Sequence, residues 1–264
     1  MTKPPVVALD AHNLLCRYFH ARPVDLNRDG HNVNAIRGLV ELTSRLWRLF
    51  SPQRIVAVFD AGLSGRREVL PCYKAHREAP CSGLQYQLDT AHRYLPRLRV
   101  DTIRAEGYEA DDVLFSLAAA PERDADLIVV SNDKDLAALV RDQPAPRTTI
   151  YNVTRAGWTM LDEPGVHERW GVWPNTIVDF LALCGDATDG VAGVPGIGPK
   201  TAAELLAELT LDELLEAPWR ARRPRWRQLL QQHREQVRLA RRVLAPVVVP
   251  VAVLTQGTTW ATHQ

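Results

Sequence analysis

Three short apolar runs constrain this 264-residue chain more than anything else in it: PVVAL (residues 5–9), IVAVF (55–59) and LIVV (127–130). None shows the alternation of a half-buried strand, so each predicts a strand covered on both faces. Helical spacing fills the intervals. Residues 34–50 place Ile36, Leu39, Val40, Leu42, Leu46 and Leu49 along one side and stop before Pro52. Residues 84–98 and GYEADDVLFSLAAA read as further helices, 100–104 as a short strand, and AHNLLCRYFHARP as a helical turn and loop. LAALV, after SNDKD, reads as a helix. Strands alternating with helices predict an α/β domain with a parallel sheet. Beyond it, residues 149–160 suggest a hairpin, Asp162 caps a helix that Gly171 ends, and residues 175–183 form a helix with Gly185 at C′. Residues 247–254 would add a late strand.

In an open parallel sheet, ligands meet the carboxyl ends of the strands. The three runs deliver acids there: Asp10, Asp60, and Asp133 with Asp135. The helix beginning GYEADD adds Glu109 and Asp112 on one face by their i,i+3 spacing, with Asp111 about 100° round. Acids in a first turn also serve the helix dipole, but three in four positions exceed what a cap requires. So many carboxylates in one cleft repel, and burying them unpaired is costly. Divalent cations resolve that conflict, and an all-oxygen donor set suits Mg²⁺ or Mn²⁺, two ions about 4 Å apart, rather than zinc. Residues 62–80 are basic, and Arg66, Lys74 and Arg77 recur at helix-compatible spacing for holding phosphates beside the metals, with Tyr73 placed to stack on an unpaired base. This segment reads as mobile, outside the core.

A second constraint is the stretch from 184 to 208, CGDATDGVAGVPGIGPKTAAELLAE, where a glycine-rich loop feeds an Ala/Leu/Glu helix. Gly193, Gly196 and Gly198 permit tight turning or close backbone approach, and Pro199 suits a first helical position. A Walker P-loop requires Gly-Lys-Ser/Thr, which Pro199 interrupts before Lys200 and Thr201. The pattern fits a helix–hairpin–helix gripping a nucleic-acid backbone, with Asp186 and Asp189 reaching back toward the acids; a plain αα-turn is the competing reading. The net charge of +1 hides asymmetry: ten Asp/Glu against three Lys/Arg between 101 and 135, and nine Arg against Glu235 alone between 220 and 242. An acidic pocket with a basic flank suits metal-dependent work on a polyanion. Four scattered cysteines fit reduced thiols, and no apolar run reaches transmembrane length, so a cytoplasmic location is expected.

Taken in order, LDAHNLL, VAVFDAG, YKAHR, GYEADDVL, SNDKDLAALV, DFLALCGDATDGVAGVPGIGPKTAAELL and HREQVRLARRVL resemble the bacterial 5′ nuclease family, which includes the 5′→3′ exonuclease domain of DNA polymerase I and stand-alone flap endonucleases. The resemblance runs over residues 6–254. It implies a PIN-like parallel sheet flanked by helices, a helical arch over about 62–98, and a C-terminal helix–hairpin–helix subdomain, hence domains at 1–160 and 161–254 and a tail at 255–264. It further implies a first metal site from Asp10, Asp60, Glu109, Asp111 and Asp112, and a second from Asp133, Asp135, Asp186 and Asp189. Arg66, Lys74 and Arg77 would contact the scissile phosphate region, with Tyr73 nearby. The hairpin residues Gly193, Gly196, Gly198, Lys200 and Thr201 would hold duplex DNA, with K⁺ on its carbonyls. Two departures stand out: Ala11 follows Asp10 where the family usually has Gly, and EAPCSGLQ replaces a Pro-rich run.

The expected function is a structure-dependent 5′ nuclease, a 5′→3′ exonuclease and flap endonuclease that hydrolyses DNA phosphodiesters by a two-metal mechanism and removes flaps, RNA primers or 5′ ends at gapped or nicked duplex in replication and repair, acting as a monomer. The alternatives are a non-catalytic helix–hairpin–helix DNA-binding protein and a PIN-type ribonuclease.

Overall fold

Six strands form one sheet: β1 (Val6–Asp10), β2 (Arg54–Phe59), β3 (Val100–Arg104), β4 (Leu127–Val130), β5 (Thr148–Thr154) and β6 (Gly157–Leu161). Their spatial order is β3-β2-β1-β4-β5-β6; the first five run parallel and β6 pairs antiparallel with β5. The structure, a computed structural model, describes residues 3–154 and 157–255. Residues 155–156, within the expected hairpin, and 256–264 of the expected tail lie outside the described residues.

The apolar runs become strands because both of their faces are covered. Val7, Leu9, Ile55, Ala57, Phe59, Ile128 and Val130 point to one side and Ala8, Val56, Val58, Leu127 and Val129 to the other, as a period of two demands. The first side packs on α1 (Ala11–Ala21) and α2 (Asn34–Phe50) and, beyond the four-residue α3 (Arg66–Val69), on α4 (Ser82–Tyr94). The second packs on α5 (Ala110–Ala119). Its apolar cluster continues without a break into α6 (Glu163–Trp170), α7 (Ile177–Cys184), α8 (Pro199–Leu206), α9 (Leu211–Glu216), α10 (Pro224–Gln232) and α11 (Arg234–Leu244). From β1 the chain builds β2 and β3 on one side, then crosses to β4 and β5 on the other. The order therefore reverses between β1 and β4, where a parallel sheet opens its crevice.

Several expectations change. AHNLLCRYFHA is a complete helix, α1, because Leu14 and Leu15 bury against the sheet. Of LAALV, the first four residues belong to a 3-10 turn, Asp135–Leu139, and Val140 is already extended. Residues 247–250 form no strand and lead into a short helix, Val251–Thr255. In the Arg-rich region Trp226, Leu230 and Val237 are buried, whereas Trp219 stands out in solvent. The basic segment is not loose at its root: Arg66 and Tyr73 are buried, and only residues 75–82 are continuously exposed. α4 is held in the core by Leu84, Leu88 and Ala91, and by Gln87, whose Oε1 accepts from the Ala35 and Ile36 N–H groups at the start of α2.

Candidate metal centre

Asp10 ends β1 and caps α1, its Oδ1 accepting from Asn13 N–H at 3.3 Å. Its Oδ2 accepts from the Ser131 hydroxyl at 2.7 Å, a bond that spans the crevice from β1 to the loop after β4. Burial, reinforced by Asp60 and Asp133 and only partly countered by Ser131, pushes the Asp10 carboxyl up to about 7. Asp60, just past β2, reaches across to α5: its Oδ1 accepts from Ala110 N–H at 2.7 Å, and the Ser64 hydroxyl accepts from Glu109 N–H at 3.1 Å. The N-terminus of α5 is therefore capped from outside, which frees its own acids for other partners.

The three acids of GYEADD diverge. Asp111 turns into the crevice, where burial and then the charges of Asp133 and Asp10 raise its carboxyl well above the usual range. Glu109 faces the basic segment: Oε1 accepts from Lys74 Nζ at 3.0 Å, and Oε2 from the Tyr73 hydroxyl at 3.0 Å and Arg66 Nη1 at 3.2 Å. Burial still holds Glu109 above its ordinary value against Lys74 and Arg66. Asp112 is saturated by Arg66 in a bidentate pair at 2.7 Å on each oxygen, by Val247 N–H at 2.7 Å and by the Ser64 hydroxyl. Burial works to raise its pKa, but the Arg66 hydrogen bonds and charge prevail and lower it. Asp112, expected in the first metal site, and Arg66, expected beside phosphate, thus each occupy the other, both buried.

A second group gathers where the Gly-rich loop meets the loop after β4. Asp135, Asp186 and Asp189 bring carboxylate oxygens within 4.8 Å of one another. Asp133 stands between the two groups; burial raises it, and Asp189 adds to the effect. Asp135 is raised well above the usual range by burial, then by Asp133, Asp186 and Asp189, and its Oδ1 is buried with no donor among the described residues. Asp186 is lowered: burial opposes ionisation, but Lys134 Nζ at 2.7 Å and Thr188 N–H at 2.9 Å outweigh it. Asp189 accepts from Arg77 Nη2 at 2.6 Å and from the Tyr73 hydroxyl at 2.9 Å, with Lys74 Nζ at 3.6 Å. Lys74 adopts a left-handed backbone, φ 50°, and its N–H donates to the Asp189 carbonyl at 2.8 Å. Such strain is found where a side chain must be aimed. Tyr73 is only 3% exposed, so the expected stacking platform is instead a buried ring whose hydroxyl lies between Glu109 and Asp189.

Sequence reasoning passed over Ser64, Ser131 and Lys134. The last was visible as the lone base inside SNDKD. In the hairpin, Pro199 opens α8 and Gly196 takes φ 90°, while Gly193 lies against the end of α7. Lys200 and Thr201 sit in the first turn of α8, Lys200 exposed. The basic flank is largely neutralised from within: Arg220 pairs with Glu213, Arg222 with Glu208, Arg223 with Glu204, Arg234 and Arg238 with Glu216, and Arg241 with Asp179 and Asp212. No described helix is long and apolar enough to cross a membrane.

Known proteins resemble both halves. Residues 5–171 match the 5′-3′ exonuclease N-terminal resolvase-like domain, and residues 172–259 the 5′-3′ exonuclease C-terminal SAM fold. DNA polymerase I of Pseudomonas aeruginosa is 35% identical over 231 residues, covering 83% of this chain and 25% of the polymerase. DNA polymerase I of Bacillus subtilis is 30% identical over 260 residues, covering 94% of this chain and 29% of the polymerase. The chain thus spans about a quarter of the length of the curated relatives it matches. Among solved structures, a phage T5 protein co-crystallised with metal ions superposes with a TM-score of 0.74 at 19% identity, over 91% of this chain and 89% of that one. A phage T5 flap endonuclease, in a pseudo-enzyme–product complex with DNA and metal ions, gives 0.70 at 19% identity, over 91% and 88%. The fold is theirs, a mostly parallel α/β sheet joined to a helical C-terminal part, and by its matched domains the chain belongs to the 5′-3′ exonuclease family.

Proposed function

We propose that this chain is a structure-dependent 5′ nuclease that hydrolyses DNA phosphodiesters with two divalent metal ions, as a 5′→3′ exonuclease and flap endonuclease of replication and repair. The observation that carries the reading is the convergence, at the sheet's switch point, of buried carboxylates that lack the cations to ionise them all. Asp135 Oδ1, buried and without a donor among the described residues, lies in the group with Asp186 and Asp189, and Asp10 and Asp111 are both raised, by burial first and then by their neighbours' charges. All the ligands on offer are oxygens, so Mg²⁺ or Mn²⁺ fits. Asp10, Asp60, Glu109 and Asp111 would hold one ion, and Asp133, Asp135, Asp186 and Asp189 the other. When bound, the pair supplies an activated water and neutralises the leaving oxygen of an in-line displacement.

The chain's own residues supply position. Lys74 and Arg77 stand at the rim, joined to Glu109 and Asp189, where each can transfer its hydrogen bonds to a phosphate oxygen entering the crevice. The hairpin would hold the duplex strand by backbone N–H groups at the start of α8 and by Lys200. K⁺ on the hairpin carbonyls belongs to the same reading, although those of Ala192 and Gly193 already accept from Gln236 Nε2. DNA flaps, nicks and gaps are the proposed substrates, with RNA primers as a second class, and a monomer in the cytoplasm as the working form. The T5 flap endonuclease crystallised with DNA and metal ions supports the substrate class.

A labelled 5′-flap duplex incubated with Mg²⁺ or Mn²⁺, with and without EDTA, tests this. Cleavage that EDTA abolishes is expected. Binding without cleavage in either metal would favour the non-catalytic DNA-binding reading, and cutting confined to RNA would favour a ribonuclease.

A further inference from the structure

Asp112 differs from the other acids in what surrounds it. Each of its oxygens accepts two hydrogen bonds: Oδ1 from Arg66 Nη2 and Val247 N–H, Oδ2 from Arg66 Nη1 and the Ser64 hydroxyl. That fills the acceptor capacity of a carboxylate. Its partner is equally committed, for Arg66 Nε donates to the Val243 carbonyl at 2.8 Å, Nη2 to that of Ala245 at 3.1 Å, and Nη1 to Glu109 at 3.2 Å. Withdrawing Arg66 would leave the Asp112 charge buried and without its cation, the costliest way to break an ion pair, and withdrawing Asp112 would leave the buried Arg66 with Glu109 alone.

These bonds join three parts of the chain that are far apart in sequence: the root of the basic segment, the first turn of α5, and the stretch that leaves α11. One turn along α5, Ser116 Oγ accepts from Val249 N–H at 2.9 Å and donates to the Asp112 carbonyl at 2.8 Å, a second rung on the same strut. α11 packs on α7, and α7 runs directly into the hairpin loop. The strut thus connects the helix that presents Asp111 to the subdomain that carries Gly193 and Lys200.

We infer that Asp112 and Arg66 are a positioning pair, neither metal ligand nor phosphate clamp, that fixes how far the duplex-gripping hairpin, with its own Asp186 and Asp189, stands from the carboxylates of β1 and α5 and so selects which phosphodiester is cut. The inference rests on the two-metal reading above, and its test separates the two. Mn²⁺ bound to the purified chain is counted by electron paramagnetic resonance, metal-free unfolding is followed by circular dichroism, and cut positions are mapped on a labelled 5′-flap duplex below each variant's melting range. Wild type should bind two Mn²⁺ and Asp111→Asn one. Asp112→Asn and Arg66→Met should each keep two, melt earlier, and spread their cuts over neighbouring phosphodiesters. The double variant Arg66→Met/Asp112→Leu should regain much of the lost stability, because a buried pair is replaceable by packed apolar groups, and still bind two. It carries both the count and the cut map if the single variants fail to fold. A wild type that binds no Mn²⁺ overturns the metal reading itself. With two bound in wild type, loss of one ion in the Asp112 variants, or a folded variant that cuts at an unchanged position, overturns the positioning role.

Discussion

Two glycines of one hairpin should fail for opposite reasons. A Cβ on Gly193 would lie 2.3 Å from the Cys184 carbonyl carbon, 2.4 Å from its oxygen and 2.4 Å from Gly185 N. All three are backbone atoms at the end of α7, so no rotamer change relieves the clash, and the loop must lift by about 1 Å to reach ordinary contact. That movement breaks the Val194 N–H bond to the Leu183 carbonyl, 2.8 Å, and strains the Gln236 bond to the Gly193 carbonyl, 2.8 Å. Overpacking costs about 1–3 kcal/mol and one buried backbone hydrogen bond about 1 kcal/mol, so Gly193→Ala should lose about 2–4 kcal/mol. Because the loop is closed by two Asp186–Val191 backbone bonds of 2.8 Å and carries Asp189, Mn²⁺ affinity should fall with it. Gly198 contrasts on both counts: its φ is −89° and a Cβ there meets nothing within 4 Å. Gly198→Ala should therefore stay within about 0.5 kcal/mol of wild type. Its new methyl would nonetheless sit at the mouth of α8, where the duplex backbone is proposed to approach. Urea denaturation measures the first effect, and fluorescence anisotropy of a labelled duplex in EDTA the second. An unchanged urea midpoint for Gly193→Ala would refute the steric argument. Wild-type duplex affinity for Gly198→Ala would refute the close approach of phosphate.

Other outcomes follow from the charges. Asp10, raised to about 7, holds a proton in the folded state across a pH range where the unfolded chain has lost it, so metal-free stability should fall as pH rises from about 4 to 7 and then level off; a melting series in EDTA that rises over that range contradicts this. Mn²⁺ binding should release protons below pH 7, measurable as a buffer-dependent calorimetric enthalpy. Tyr73→Phe should cost about 1 kcal/mol by removing the hydroxyl between Glu109 and Asp189 while leaving single-strand affinity unchanged, because the ring is buried; weaker strand binding would restore the stacking role. Lys200→Ala should reduce the slope of log affinity against log salt by about one, whereas Arg238→Ala, whose cation already pairs with Glu216 and Glu235, should leave it nearly unchanged.

What the sequence by itself determined is local in origin. Period and composition marked β1, β2 and β4 as doubly covered strands, each handing its acid to the crevice, and glycine and proline spacing marked the hairpin. The i,i+3 relation even sorted the acids of GYEADD correctly: Glu109 and Asp112 share Arg66, and Asp111, about 100° round, looks elsewhere. Which of those two directions faced the crevice was not legible, because helical geometry fixes relative angles on α5 and not the rotation of α5 against the sheet. Only the tertiary structure decided that, and with it the saturation of Asp112 by groups 46 and 135 residues away. The same holds for the Arg-rich stretch, which reads as a bare basic flank until α8, α9 and the turn between them bring Glu204, Glu208, Asp212, Glu213 and Glu216 against it. A carboxylate's role depends on which donors reach its lone pairs, and donors from distant segments arrive only when the chain packs.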